Sequence, residues 1–299
     1  MPGNALSYVT EANLTDIARE RWKNIPDPRL RQVMTAAIKH LHAFVREIEP
    51  TDAEWLACID WLTRVGKMSD EKRQEFILAS DVLGISMLVN AINNRLATGA
   101  TPSTVEGPFH VPGSVEFADG QDMARGAPGI PCFVTGKVRD LDGKPVGGVL
   151  LDIWQTDGEG LYEAQRPGAN QYMRGLYHSK PDGSYVVHTV APIGYTIPMD
   201  GPVGELMKKT KISEYRPAHI HFCISAPGYH RIMTHLFQKD DPYIETDVVY
   251  GVKEPLITEF VKKPAGAKAP TGETMKEPFF EVHYDFVLQK AAKSAEKAA

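Results

Sequence analysis

From Pro128 onward the chain is written in short β-rich runs broken by turn signals, and that rhythm limits what it can fold into. Residues 133–138 are followed by Asp142-Gly143, residues 149–154 by Asp157-Gly158, and Asp182-Gly183 precedes residues 185–190. No amphipathic helix separates these runs, which argues for an all-β sandwich over a parallel α/β sheet.

The first hundred residues follow a different period. Behind Asp27-Pro28, an N-cap and first-turn proline, apolar side chains recur at Leu30, Val33, Met34, Ala37, Ile38, Leu41, Phe44, Val45 and Ile48, the 3.6-residue spacing of a helix. Thr51 and Glu54 form a capping-box pair that opens a second helix. A third opens at Ser69-Asp70-Glu71 and runs through Phe76 and Ile77, and a further one covers 82–96. The fold class expected is therefore α+β: a helical domain over 1–100, a β-sandwich catalytic domain over 101–290, and a solvated tail over 291–299. Four or five helices leave apolar surface over, which suits dimerisation.

Composition narrows the function. A formal charge of −5 and the absence of a basic block interleaved with aromatics give no reason to expect nucleic acid. The N-terminus lacks a charged segment followed by an apolar one, and no run of about 18 apolar residues occurs. The expectation is a cytoplasmic protein that is not membrane-bound. Cys58, Cys132 and Cys223 are odd in number and lack CxxC spacing, so they read as small buried hydrophobes rather than disulfide partners or thiolate ligands.

Chemistry is concentrated in 215–225, YRPAHIHFCIS. On a strand, alternate residues face opposite ways, so His219 and His221 project together while Ala218, Ile220 and Phe222 turn from them. Paired neutral imidazoles on a rigid strand suit a metal, but other donors must complete the shell. Asp152, Asp157, Glu159, Asp200, Glu205 and Asp240 are the available carboxylates, several beside glycines, where such residues form turns. Tyr162 and Tyr195, in glycine-rich loops, are two of eleven tyrosines, and spacing does not single them out.

The segments TPSTVEGPFHVPG (101–113), LDIWQTDGEGLY (151–162), GYTIPMDGPVGELM (194–207) and RPAHIHFCISAPGY (216–229) closely resemble the intradiol ring-cleavage dioxygenases, in their catechol and hydroxyquinol 1,2-dioxygenase group. The resemblance covers nearly the whole chain. It implies one non-haem Fe(III) per subunit, held by Tyr162, Tyr195, His219 and His221, with Tyr195 also taking up a proton. Phenolates are hard anionic donors suited to a trivalent ion. Arg216, three residues before His219, would stabilise the developing anion. His235 stands where relatives carry a pocket glutamine, with Gln238 nearby, and would donate to a bound oxygen species or simply pack.

By the same resemblance the pocket walls are Leu78, Asp81, Val105, Gly107, Pro108, Phe109, Ile197 and Pro198. Asp81 is the polar member. A carboxylate there requires a partner, and a third substrate hydroxyl would be one, although a hydrogen bond between helices would serve as well. Hydroxyquinol (benzene-1,2,4-triol), free or chlorinated, is the expected substrate with dioxygen, and maleylacetate the product. Catechol or chlorocatechol, giving a muconate, is the alternative. Outside this class stand a non-enzymatic β-sandwich binding module and a zinc hydrolase using the two histidines. The resemblance further implies a homodimer through the N-terminal helices with a phospholipid at the interface.

Overall fold

A computed structural model describes residues 8–70 and 73–291. The chain divides into two compact units, residues 1–63 and 64–299. The first holds α1 (Leu14–Trp22), α2 (Pro28–Ile48) and most of α3 (Asp52–Met68). Sequence signals explain their boundaries. The Asp27 carboxylate accepts from the Leu30 N–H at 2.7 Å, with Pro28 at the first helical position. Thr51 and Glu54 close the capping box, the Thr51 N–H donating to Glu54 Oε2 at 2.8 Å and the Glu54 N–H to Thr51 Oγ1 at 3.3 Å. Arg46 ties α2 to the start of α1 by donating to Thr15 Oγ1 and the Glu11 carbonyl.

The second unit begins with the last turn of α3 and continues with α4 (Glu75–Val82) and α5 (Ile85–Asn93). These helices differ from expectation in extent. Ser69 and Asp70 cap a turn ahead of α4, Ser69 Oγ accepting from the Phe76 N–H and Asp70 Oδ1 from the Arg73 N–H. Residues 71–72 lie outside the described residues. The expected helix over 82–96 is shorter because Gly84, at φ +71°, turns the chain through 81° between α4 and α5. The unit division thus falls well ahead of the composition change near residue 101. The expected tail lies outside the described residues from 292 onward.

The remainder is β1 (Pro131–Asp140), β2 (Leu150–Trp154), β3 (Arg174–His178), β4 (Ser184–Val190), β5 (Tyr195–Thr196), α6 (Pro202–Thr210), β6 (Tyr215–Arg216), β7 (His219–Ser225), β8 (Ile232–Gln238), β9 (Ile257–Thr258), β10 (Val261–Lys263), β11 (Phe279–His283) and β12 (Phe286–Leu288). Five strands form a sheet in the order β3-β2-β7-β8-β9, and a second sheet runs β10-β11-β1-β12 with β4 also on β1. Strands β5 and β6 pair apart as a short ribbon.

The two sheets bury one core between them. Val134 and Val138 of β1, Val187 of β4 and Phe286 of β12 meet Leu151 and Ile153 of β2, Ile220, Phe222 and Ile224 of β7, and Leu236 of β8. Alternation then directs His219, His221, Asp152, Trp154, His235 and Phe237 to the other face of the first sheet. That face is also buried, so β7 is covered on both sides.

Cys132 and Cys223 are buried as expected, but Cys58 is exposed. It lies on α3, where Trp55, Leu56, Ile59 and Leu62 are exposed as well, so apolar character along this helix does not report burial within the chain. No single described helix is long and apolar enough to cross a membrane; α4 and α5 pass the length and composition test only as a bent pair.

Candidate active site

Cross-strand register assembles the site's floor. His221 pairs with Trp154 of β2 on one side and His235 of β8 on the other, and His219 pairs with Phe237. The Trp154 and His221 rings stack at 4.6 Å with 17° between planes. His219 and His221, each 2% exposed, bring their Nε2 atoms to 3.1 Å.

Two loops bring the phenols. The loop after β2 is organised by the buried carboxylate of Asp157, which accepts from the Glu159 and Leu161 N–H groups, Arg166 Nε and the Tyr172 hydroxyl. Tyr162 emerges from it into the interior. Tyr195 comes from the ribbon, where it pairs with Arg216. Tyr162 Oη lies 3.0 Å from Tyr195 Oη, 3.0 Å from His221 Nε2 and 3.4 Å from His219 Nε2.

Donor atoms 3.0–3.4 Å apart are spaced as ligands are around one ion at bonds of about 2.0–2.1 Å. The protonation tendencies agree. Burial, reinforced by the Arg216 charge, holds both histidines well below the ordinary imidazole range, so each offers a lone pair. Burial raises both tyrosines above the ordinary phenol range, against the charge of Arg216, so their ionisation requires a cation among them. The residues fit a metal ion with two hard anionic and two imidazole ligands.

The six carboxylates weighed from sequence are elsewhere engaged or exposed. Asp157 and Glu159 bind Arg166, Asp152 accepts from His110, Asp200 pairs with Arg73, Glu205 with Arg64, and Asp240 is exposed. Among the described residues the one metal-capable group of His, Cys, Asp and Glu is His219, His221 and His235, which leaves a zinc hydrolase without its carboxylate.

Arg216 is 4% exposed, with Nη1 3.1 Å from His219 Nε2. Burial opposes its charge, but Asp247 and the neighbouring phenols outweigh burial and keep it protonated. All eight expected wall residues, Leu78, Asp81, Val105, Gly107, Pro108, Phe109, Ile197 and Pro198, line one cleft together with Tyr195, Arg216 and Val249. Gly107 adopts φ +75°, a backbone conformation that favours glycine, and a Cβ there would lie in ordinary contact with His221 Cε1 at 3.6 Å. Asp81 is 3% exposed; burial raises its carboxyl above the ordinary range, against a hydrogen bond with Ser86 of α5 and the charge of Arg216. Asp81 thus has the interhelical partner foreseen for it and also lines the cleft. The far walls are fastened to each other, since the buried Glu75 of α4 accepts from the Val203 N–H at the start of α6, and Arg73 beside it holds Asp200.

The pocket role expected of His235 does not match its place. It is fully buried behind His221, with Nε2 2.7 Å from His221 Nδ1 and Nδ1 2.8 Å from Thr104 Oγ1, so neither ring nitrogen is left for a ligand in the cleft. Sequence reasoning missed Thr104, Val249 and Asp247. Trp154, also missed, could have been found as the cross-strand neighbour of His221 once the pairing of β2 and β7 was known. Asp247 and Val249 lie in an irregular loop that carries no periodic signal.

A sheet-rich unit with a buried His–Tyr donor cluster beside a cleft lined by Leu78, Asp81, Phe109 and Ile197 has the makings of a metal-dependent active site. Comparison with known families places it. Residues 105–290 match the family model described as dioxygenase and residues 27–101 that of the catechol dioxygenase N terminus. The chain belongs to the intradiol ring-cleavage dioxygenases, and the non-enzymatic reading is set aside. It is 44% identical to a 6-chlorohydroxyquinol 1,2-dioxygenase of Cupriavidus pinatubonensis over 92% of this chain and 96% of that one. It is 42% identical to a hydroxyquinol 1,2-dioxygenase of Nocardioides simplex over 97% and 99%. The crystal structure of a hydroxyquinol 1,2-dioxygenase from Pseudomonas putida DLL-E4 superposes with a TM-score of 0.88 at 43% identity, covering 94% of this chain and 99% of that one. That of a catechol 1,2-dioxygenase from Pseudomonas arvilla C-1 gives 0.81 at 27%, covering 96% and 94%.

Proposed function

We propose that the chain cleaves hydroxyquinol, free or chlorinated, between its two adjacent hydroxyl-bearing carbons, both atoms of dioxygen entering the product, which is maleylacetate from the free triol and a chlorinated maleylacetate from the chlorinated one. The observation that carries the metal assignment is the spacing of two phenols and two imidazoles at 3.0–3.4 Å. Tyr162, Tyr195, His219 and His221 would hold one Fe(III), which would supply Lewis-acid chemistry to the diol, lowering the electron density of its ring.

The chain's own groups do the rest. Tyr195, partly exposed where Tyr162 is buried, is the phenolate that takes up a diol proton at Oη. Arg216 stabilises the anion that develops on the ring. Phe109, stacked on Tyr162 at 4.3 Å, forms an apolar wall of the cleft with Ile197 and Pro198. Asp81 accepts the third hydroxyl, for which an apolar wall could select only by size. The names of the relatives at 42–44% identity support the triol over catechol. The test is a visible spectrum of the purified protein with kcat/KM for both diols. A tyrosinate-to-iron charge-transfer band and preference for the triol are expected; a colourless, iron-free protein would sink the metal assignment, and a preference for catechol the substrate.

The reading extends to assembly and compartment. Two copies join through the N-terminal helices, with a phospholipid held at their contact. Supporting this, Leu41, Phe44, Val45 and Ile48 of α2 are at least half exposed in the single chain. Three unpaired cysteines, one exposed, suit the reducing cytoplasm. Light scattering at micromolar concentration should give a dimer mass, and lipid extraction should release a phospholipid.

A further inference from the structure

The two candidate imidazole ligands are held from behind by different means. His219 Nδ1 lies 2.6 Å from the Pro217 carbonyl, which can only accept, so that nitrogen carries the proton and Nε2 is bare. His221 has no such carbonyl. Its Nδ1 faces a second imidazole, His235 Nε2, at 2.7 Å, and two ring nitrogens at that distance must share one proton. Beyond them His235 Nδ1 meets Thr104 Oγ1 at 2.8 Å.

We infer that His235, backed by Thr104, is the positioning residue for His221: it accepts the Nδ1 proton and so leaves His221 Nε2 bare and aimed at the metal. The inference rests on the metal assignment above. The proton order follows along the row. With His221 Nε2 facing Tyr162 Oη at 3.0 Å, its Nδ1–H donates to His235 Nε2, and His235 Nδ1–H then donates to Thr104. Packing makes the row rigid. His221 and His235 are directly paired across β7 and β8, and all three side chains are at most 2% exposed. Thr104 is itself anchored to β8, its N–H donating to the Met233 carbonyl at 2.7 Å. His235 could join a three-histidine ligand group only by withdrawing the lone pair it gives to His221. Such partners behind a ligating histidine typically alter metal affinity 10- to 100-fold.

The test is iron retention against a competing chelator, read by elemental analysis, on iron-loaded wild type, His235→Gln, His235→Leu, Thr104→Val and the ligand-loss reference His219→Ala. Thermal unfolding of each metal-free protein reports folding. His235→Leu should weaken retention about 10- to 100-fold. His235→Gln, whose amide can accept from His221 and donate to Thr104, should restore it to within a few-fold. Thr104→Val, which removes one hydroxyl and carries the test if His235→Leu does not fold, should weaken it in the same direction by less. Wild-type retention in both His235→Leu and Thr104→Val overturns the inference, as does loss in His235→Gln as complete as in His219→Ala, which would make His235 a ligand. A folded wild type that holds no iron overturns the metal assignment and this inference with it, and is recognised because every protein then reads alike.

Discussion

Arg216 and Asp247 face each other in the interior, Nε 3.1 Å from Oδ1 and Nη2 3.5 Å from Oδ2, with side chains 5% and 2% exposed. The Gly251 N–H also donates to the carboxylate, so Asp247 fixes both the charge and the aim of the guanidinium. Removing one partner of a buried pair strands the other, and Asp247→Ala should lower unfolding free energy by about 3–5 kcal/mol in urea titration. Arg216→Ala should keep its metal but lose roughly 100- to 1,000-fold in kcat, as loss of one preorganised donor does elsewhere. Near-normal kcat would remove Arg216 from the chemistry.

Asp81 sets the second prediction. Its carboxyl has Ser86 on one side and the cleft on the other. Asp81→Ala should reduce kcat/KM for the triol by about 10- to 100-fold, the worth of a hydrogen bond to a charged group, and leave catechol turnover within a few-fold. Equal losses for both diols would make Asp81 structural.

The third concerns pH. His110, its ring tilted 56° against that of Trp154, lies between Asp152 and Glu106, its Nε2 2.9 Å from Asp152 Oδ2 and its Nδ1 2.8 Å from Glu106 Oε1. The hydrogen bond with Asp152 raises its pKa, burial and the charge of Arg231 oppose this, and both carboxylates add to the rise. A raised pKa means the stabilisation is complete below the unfolded value of about 6.5 and disappears as pH climbs through the higher folded value. Because His110 ends the segment that carries Val105, Gly107, Pro108 and Phe109, Tm should fall across that window in wild type, and the slope should flatten in His110→Asn. Parallel profiles would disprove the linkage.

A fourth prediction tests the helical unit. Asp27 accepts the Leu30 N–H in a first turn that is otherwise solvent-facing. Asp27→Ala should cost about 1 kcal/mol in the stability of α2 and leave turnover by folded protein unchanged. Loss of turnover at full folding would show that α2 reaches the chemistry.

What could be read in advance was what depends on local period. The 3.6-residue spacing behind Asp27-Pro28 gives α2, and alternation along 219–225 gives two imidazoles on one face with Ile220 and Phe222 in the core. Tyr162 and Tyr195 were beyond such reasoning, because their places are set by Asp157 and by a ribbon pairing with Arg216 twenty-one residues on, and they came only through resemblance. The turn at Gly84 was hidden inside a continuous apolar pattern. His235 was visible as a histidine, but its partner, Thr104, lies 131 residues away.

Strand β7 carries the interior of the sandwich on one side and the imidazoles on the other. A slip of a single residue would therefore put Ile220 and Phe222 where His219 and His221 belong and drive both rings into the hydrocarbon between the sheets. Misregistered copies cannot assemble the centre at all, so the metal content of a preparation doubles as a count of correctly threaded molecules.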